Sequence, residues 1–145
     1  MMTFDTNVHI ARTTDDVFDY VSEPLNFPRW NSAVRAVRRI PSGHPDRYVM
    51  ERDLPGGRAE NEIEIVARER PSEFAVRTIS GPTPFFYQYR FASVGGGTDI
   101  AFSAAFELTG IAGLAGPLAK HAVKRGVDDN LRTLKGLLEE QALSA

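Results

Sequence analysis

The spacing of apolar positions divides the chain into an alternating part and one long helical stretch. In residues 113 to about 144, apolar side chains recur at intervals of four and three, the period of an amphipathic α-helix. These positions are Ala119, Val123, Val127, Leu131, Leu134 and Leu138. Pro117 falls near the first turn, where proline is tolerated, after a glycine-rich approach at 110–113. A helix of this length that follows a run of strands needs a sheet to lie on.

The residues before this helix favour strands over most of their length. Alternation with period two and turn-forming residues between the segments predict seven strands. Their ranges are 4–12, 33–40, 47–54, 58 to about 70, 74–80, 85–91 and 98–108, with turns at 41–45, 55–57, 81–84 and 95–97. Because the connections after the second strand are short, the strands are predicted to form a curved antiparallel meander.

Two short helices are predicted between the first and second strands. Thr13 or Thr14 can cap the first helix, and the aspartates that follow suit the positive end of its dipole. A second helical piece runs from Leu25 to about Trp30 and is expected to be interrupted by Pro28. Together the two pieces predict an elbow in the chain, with Trp30 on it.

The fourth strand predicts how the two faces of the sheet differ. One face carries glutamates and the other is mostly apolar; the members are Glu60, Glu62 and Glu64 against Ala59, Asn61, Ile63 and Ile65. We expect the apolar face to meet the long helix and the acidic face to be wet.

Composition narrows the class of protein. The chain has 145 residues, 42% of them hydrophobic, so residues 1–145 are expected to form a single domain. A net charge of -2 does not indicate a strongly basic surface, so no nucleic-acid partner is expected. The absence of cysteine excludes disulfides and thiolate chemistry. The sequence shows no signal peptide and no integral membrane segment, so a cytoplasmic location is expected.

Several short motifs resemble the START/Bet v 1-like superfamily, in its bacterial polyketide cyclase/dehydrase-like branch. They are Val17-Phe18-Asp19-Tyr20-Val21, Pro24 through Pro28 with Trp30, Gly95-Gly96-Gly97-Thr98, and Leu131-x-x-Leu134-Lys135-x-Leu137-Leu138-Glu139. The resemblance implies an α+β helix-grip fold, a curved sheet of about seven strands wrapped around the long C-terminal helix. It also implies a cavity between sheet and helix that takes lipids, quinones, polyketides or other apolar molecules.

Alternation within the strands predicts which side chains face that cavity. The apolar candidates are Phe74, Val76, Phe91, Ile100, Phe102 and Phe106; the polar ones are Asn61, Thr78, Tyr87 and Tyr89, with Tyr48 and Arg52 if the register of their strand holds. On the helix, Ala119, Ala122 and Gly126 would leave it thin over the sheet. The predicted ligand contacts are therefore Trp30, Tyr48, Arg52, Asn61, Phe74, Thr78, Tyr87, Tyr89, Phe102, Ala122 and Gly126. An alternative is that the aromatic side chains simply fill a core.

Asn61 and Gly126 carry specific expectations. An inward amide must find hydrogen-bond partners, and a ligand is one choice, with Tyr89 or water as others. On the ligand interpretation, replacing Asn61 with leucine costs affinity while stability holds. Gly126 either keeps the cavity open or is a tolerated surface glycine.

The remaining chemistry of the sequence points to no defined reaction. His9, His44 and His121 lack partners at metal-ligand spacing, so neither a metal nor a cofactor is expected. The leading hypothesis is a binder of an apolar small molecule, of unknown oligomeric state. The alternatives are an enzyme of the cyclase, aromatase or dehydratase type that uses cavity Tyr, Arg and Asn groups, and a protein-interaction module.

Overall fold

The computed structural model describes residues 1–41, 43–54, 57–108 and 116–144. The described residues form seven strands and three α-helices, with one 3₁₀ turn at Pro24–Asn26. The strands are β1 (Met2–Ile10), β2 (Val34–Arg39), β3 (Arg47–Leu54), β4 (Gly57–Glu69), β5 (Glu73–Ser80), β6 (Phe85–Val94) and β7 (Gly97–Phe106). The helices are α1 (Thr14–Val21), α2 (Phe27–Trp30) and α3 (Gly116–Ser144).

The strands form one antiparallel sheet in the order β1-β7-β6-β5-β4-β3-β2. From β2 onward each strand pairs with the next along the chain, as the short turns predict. The connection through α1 and α2 is longer and lets β1 pair with β7 instead. The predicted α+β helix-grip fold, with two short helices after β1, is confirmed.

Some element boundaries differ from the prediction. β1 ends at Ile10, two residues early, because the backbone N–H of Arg12 turns back to the carbonyl of Ile10 at 2.8 Å. β6 continues to Val94, and β7 ends at Phe106. The predicted helix start at Gly113 and its glycine-rich approach lie outside the described residues, as do Ser42, Pro55 and Gly56 of the predicted turns.

The elbow forms as predicted except at Pro28. Thr13 caps α1, and its hydroxyl accepts a hydrogen bond from the backbone N–H of Asp16 at 3.3 Å. Pro28 does not interrupt the second piece. It lies in the first turn of α2, where its missing N–H would have no intrahelical partner in any case.

The outer face of the sheet is charged and partly exposed, as the alternation in β4 predicts. Arg47 Nε and Arg77 Nη2 both donate to the carboxylate of Glu64, at 3.1 and 2.8 Å, and Arg38 Nη1 donates to Glu60 at 3.1 Å. Such exposed ion pairs contribute little to stability. They keep this face in water and leave the opposite face for packing.

The two halves of α3 contact the rest of the molecule differently. In the second half Leu131, Leu134 and Leu138 are buried in the core. Lys135 Nζ also donates to the carbonyl of His9 on β1, at 2.6 Å. The first half carries small side chains on the same side. The helix is therefore held close to the sheet near its C-terminus and leaves space beneath its first turns.

Candidate ligand cavity

A cavity of about 310 Å³ lies between the sheet and the first half of α3. At the share of about 30 Å³ that one molecule has in liquid water, this volume equals roughly ten waters, at the lower end of small-molecule pockets. The helix side of the wall is thin because it is built from Ala119, Ala122 and Gly126, with Val123 and Val127. The elbow contributes Phe27, Trp30 and the loop from Asn31 to Ala33.

The sheet side of the wall is a continuous row of aromatic rings. The rings of Phe85 and Tyr87 are stacked with centroids 4.2 Å apart. Phe102 then packs edge-on against Tyr87 at 5.2 Å and against Tyr89 at 4.9 Å, and Tyr89 meets Trp30 at 6.4 Å. Strands β6 and β7 place these rings on one face because their inward positions alternate, as predicted.

Arg52 closes one end of this row. Its guanidinium lies over the Phe85 ring, with Cζ 5.3 Å from the ring centroid. Nε donates to Asn61 Oδ1 at 2.8 Å, and Nη2 donates to the carbonyls of Pro82 and Thr83 at 3.0 and 3.2 Å and to the Thr83 hydroxyl. The residue is 9% exposed, so Arg52 is a buried cation held by neutral oxygen atoms.

The turn that accepts these hydrogen bonds has an unusual backbone. Thr83 has φ of 51°, in the left-handed region that a β-branched residue rarely adopts, at a typical cost of about 1–3 kcal/mol. Gly81 has φ of 99°, and a Cβ there would lie 2.4 Å from the carbonyl oxygen of Glu60. The backbone conformation of this turn aims the carbonyls of Pro82 and Thr83 at Arg52.

Burial changes the proton affinities of the polar groups on the wall. It raises the pKa of Tyr87, although the positive charge of Arg52 acts in the opposite direction. Burial also raises the pKa of Tyr89 and lowers that of Arg52. Both phenols therefore stay protonated at neutral pH and act as hydrogen-bond donors rather than bases.

Seven of the eleven predicted contact residues line the cavity: Trp30, Arg52, Tyr87, Tyr89, Phe102, Ala122 and Gly126. Of the other apolar candidates, Val76 and Phe106 line it, whereas Phe91 and Ile100 are buried elsewhere in the core. The inward register predicted for Arg52 therefore holds in the structure. Whether these residues contact a ligand remains a prediction.

The other four predicted contacts face inward but do not line the cavity. Asn61 is fully buried, and its amide is used within the protein: it accepts from Arg52 and donates to Ser80 O at 3.1 Å and Pro82 O at 2.8 Å. The prediction that this amide faces the cavity is therefore wrong. Its hydrogen bonds instead position Arg52.

Tyr48, Phe74 and Thr78 are placed away from the cavity for different reasons. The Tyr48 hydroxyl accepts from Arg39 Nη1 at 3.3 Å, at the far end of β3. Phe74 is covered by Phe27 and Tyr89, whose ring centroids lie 6.3 and 5.7 Å away. The Thr78 hydroxyl accepts from the backbone N–H of Phe85 at 3.1 Å.

The prediction also missed residues that line the cavity. Met50 and Phe85 continue the inward alternation of Arg52 and Tyr87, so the same pattern could have identified them. Residues Asn31 to Ala33 have no periodic signal because they form a loop. Asn130 of α3 reaches this loop: its Nδ2 donates to Asn31 Oδ1 at 3.1 Å.

The hydroxyl of Tyr89 allows a first test of how the aromatic side of the cavity is built. It makes no hydrogen bond to any other residue of the described ranges. We therefore expect Tyr89→Phe to leave the free energy of unfolding unchanged, or to raise it by up to about 1 kcal/mol, since no protein partner is lost. Tyr48→Phe, which removes an acceptor from Arg39, is the comparison. A loss beyond about 1 kcal/mol in Tyr89→Phe, measured by denaturant unfolding, would contradict this account.

The described residues also bear on two other kinds of functional feature, membrane-spanning helices and metal sites. None of the described helices is long and apolar enough to span a membrane. Within the described ranges no group of three or more His, Asp or Glu side chains is arranged to hold a metal ion. His9 is exposed, as expected, and its Nδ1 lies 2.5 Å from Asp99 Oδ1.

Comparison with protein families gives one match along almost the whole chain. Residues 1–139 match the model of a family described as polyketide cyclase, dehydrase and lipid transport. The comparison with curated proteins gave no match.

Solved structures share the fold at low sequence identity. A START superfamily protein from Mycobacterium smegmatis aligns with a TM-score of 0.81 at 14% identity, over 96% of this chain and 98% of that one. A conserved protein from Geobacillus kaustophilus gives 0.80 at 13%, over 96% of both chains. A protein from Thermus thermophilus gives 0.73 at 18%, over 99% and 98%. The START/Bet v 1-like fold is thereby confirmed.

Proposed function

Because the chain belongs to the polyketide cyclase, dehydrase and lipid transport family, we propose that it binds an apolar small molecule of the lipid, polyketide or quinone class between its sheet and α3. The observation that carries this proposal is the cavity of about 310 Å³, whose sheet wall is a row of aromatic rings. Burying apolar ligand surface against such a wall contributes roughly 25 cal/mol per Å² before the costs of association.

The construction of α3 supports the same proposal. Its second half packs with large leucines, whereas Ala119, Ala122 and Gly126 occupy the first half where the helix passes over the cavity. Gly126 is exposed and lines the cavity, and a Cβ there would meet no atom within 4 Å, so the helix leaves this position empty. A helix built to fill a core would carry larger side chains at these positions.

Trp30 allows the proposal to be tested directly, since it is the single tryptophan of the chain and lines the cavity. We expect the uncharged probe N-phenyl-1-naphthylamine to gain fluorescence on binding and to quench Trp30 by energy transfer, with one saturable affinity. Trp30→Phe should keep the probe signal and lose the tryptophan signal. If saturating probe changes neither signal, the cavity does not bind apolar molecules.

A second candidate is an enzyme of the cyclase, aromatase or dehydratase type. The observation in its favour is that Arg52 and Tyr87 both line the cavity and both contact the Phe85 ring, so a cation and a protonated phenol share one cavity. They could polarise a carbonyl group of a substrate. Native mass spectrometry of protein from its own cell would identify the co-purified molecule. Its recovery unchanged after incubation supports binding; conversion that is lost in Tyr87→Phe supports catalysis.

The interaction-module alternative has less support. The outer face exposes Val66, Ile79 and Phe86. The charged residues Glu64 and Arg77 lie among them and are paired with each other. Scattered exposed apolar residues of this kind are common on protein surfaces and do not by themselves mark an interface.

A further inference from the structure

Arg52 is a buried cation that has no counter-ion among the described residues. All four oxygens that accept its hydrogen bonds are neutral: Asn61 Oδ1, the carbonyls of Pro82 and Thr83, and the Thr83 hydroxyl. No carboxylate of the described residues forms an ion pair with it. Buried charges in proteins are normally paired, because taking a charge out of water is costly. The charge of Arg52 is therefore available for a partner from outside the chain.

The hydrogen bonds of Arg52 leave one edge of the guanidinium open. Nε and Nη2 are occupied, whereas Nη1 donates to no residue within the described part of the chain. Because Arg52 lines the cavity, this amino group can serve a ligand there. Asn61 and the turn at 81–84 hold the guanidinium in place, so little side-chain entropy would be lost on binding.

Two acidic residues, Asp53 and Glu107, are also among those that line the cavity, and neither serves as the counter-ion of Arg52. Asp53 is the neighbour of Arg52 on β3, so it points to the other face of the strand, and it pairs with Arg35 at 3.4 Å. Glu107 lies just beyond the end of β7 and is half-buried. Neither carboxylate contributes to the pKa shift of Arg52, which has burial as its main cause.

Arg52 is hydrogen-bonded to polar groups on one side and faces the apolar Phe85 ring on the other. Phe85 lies beneath the guanidinium, and Tyr87 stacks on Phe85 with the row continuing to Phe102. A molecule with its charged end at Nη1 would place its body against this row. The cavity thus offers one cationic end and one long apolar wall.

We infer that the ligand of this cavity is an amphipathic carboxylic acid whose carboxylate accepts hydrogen bonds from Arg52 Nη1 while its apolar body lies along Phe85, Tyr87 and Phe102. This inference rests on the proposed binding function and names the chemical class of its ligand. Charge-assisted hydrogen bonds are short and stronger than neutral ones, so the head group selects acids over alcohols of equal length.

A matched pair of competitors tests the inference. Decanoate and 1-decanol have the same chain and differ at the head group. Each is titrated against bound N-phenyl-1-naphthylamine at neutral pH, below its aggregation concentration. We expect decanoate to displace the probe with an affinity about tenfold or more above that of decanol, the size expected for one hydrogen bond to a charged group.

Variants of Arg52 test whether the guanidinium causes the preference for decanoate over decanol. Arg52→Met keeps an apolar stem of similar length and should remove the preference for decanoate, and Arg52→Lys should retain part of it. Arg90→Met is the control, since Arg90 is exposed on the outer face of β6. It should bind both competitors as the wild type does.

The outcomes separate this inference from the function on which it rests. Probe binding with no preference for decanoate, or a preference that survives in Arg52→Met, overturns the inference and leaves the binding function intact. Absence of probe binding overturns both. If Arg52→Met does not fold, nitrogen-15 NMR of the wild-type guanidinium decides: decanoate should shift the Arg52 resonances and decanol should not, and unshifted resonances at saturating decanoate overturn the inference.

Discussion

Replacing Asn61 with leucine is expected to lower the free energy of unfolding by about 3 kcal/mol, although leucine is apolar and similar in size. The substitution removes the acceptor of Arg52 Nε and the donor to the carbonyls of Ser80 and Pro82. Because Asn61 is fully buried, water cannot replace these partners. The loss therefore includes the desolvation cost of groups left unpaired beside a buried charge.

Asn7→Leu is the matched control for this experiment. Asn7 lies on strand β1 with an exposed side chain, so the same change there breaks no buried hydrogen bond. We expect it to alter stability by no more than about 0.5 kcal/mol. Urea unfolding of both variants gives the comparison. If Asn61→Leu were as stable as Asn7→Leu and lost only ligand affinity, the interpretation of Asn61 as a ligand contact would be restored.

Gly126→Leu is expected to weaken binding of N-phenyl-1-naphthylamine by at least about tenfold while the protein becomes more stable. Gly126 lies on the thin half of α3 and lines the cavity, and open space surrounds its missing Cβ. A leucine side chain there would enter that space and displace part of a ligand. If the ligand buries about two fewer methylene groups, the affinity falls by roughly this factor.

The same helix supplies the control for Gly126. Gly136, like Gly126, is exposed and has no atom within 4 Å of a Cβ, but it does not line the cavity. Both glycines lie inside α3, so leucine should stabilise each variant by roughly 0.5–1 kcal/mol through helix propensity. Probe affinity beside the thermal midpoint then separates the two sites. Equal probe affinity in both variants would mean that Gly126 has no role in the cavity.

The sequence determined much of the wall by itself. Strong alternation in β6 and β7 predicts the inward set that includes Tyr87, Tyr89 and Phe102, and all three line the cavity. Alternation works here because each strand has one packed face and one wet face, so a shift by one residue would expose the core. The small residues of α3 were likewise identified from their helical spacing.

Alternation does not tell how far an inward side chain lies from the helix. Asn61 and Phe74 are both inward, yet one is used in a polar cluster and the other is covered by Phe27 and Tyr89. The pairing of β4 with β5 is also irregular, with register shifts between Glu62 and Ile63 and between Ile65 and Ala67. Such shifts change which residues of the two strands lie opposite each other, and alternation does not predict them. These positions depend on neighbours that are distant in sequence.

What the sequence by itself determined is the set of elements, the order of β2 to β7 in the sheet and the face to which each inward residue points, because these follow from local periodicity and turn chemistry. The pairing of β1 with β7 does not follow from them. Only the tertiary structure decided which inward polar groups form hydrogen bonds with one another and which remain available to a ligand. Asn61 and Arg52 look alike in the sequence as inward polar residues of adjacent strands. Folding brings both to the turn that contains Pro82 and Thr83. The amide of Asn61 is then occupied by Arg52 and by the carbonyls of Ser80 and Pro82, whereas Arg52 Nη1 donates to none of the described residues. Hydrogen bonds between distant segments depend on the three-dimensional approach of those segments, and no local pattern encodes that approach.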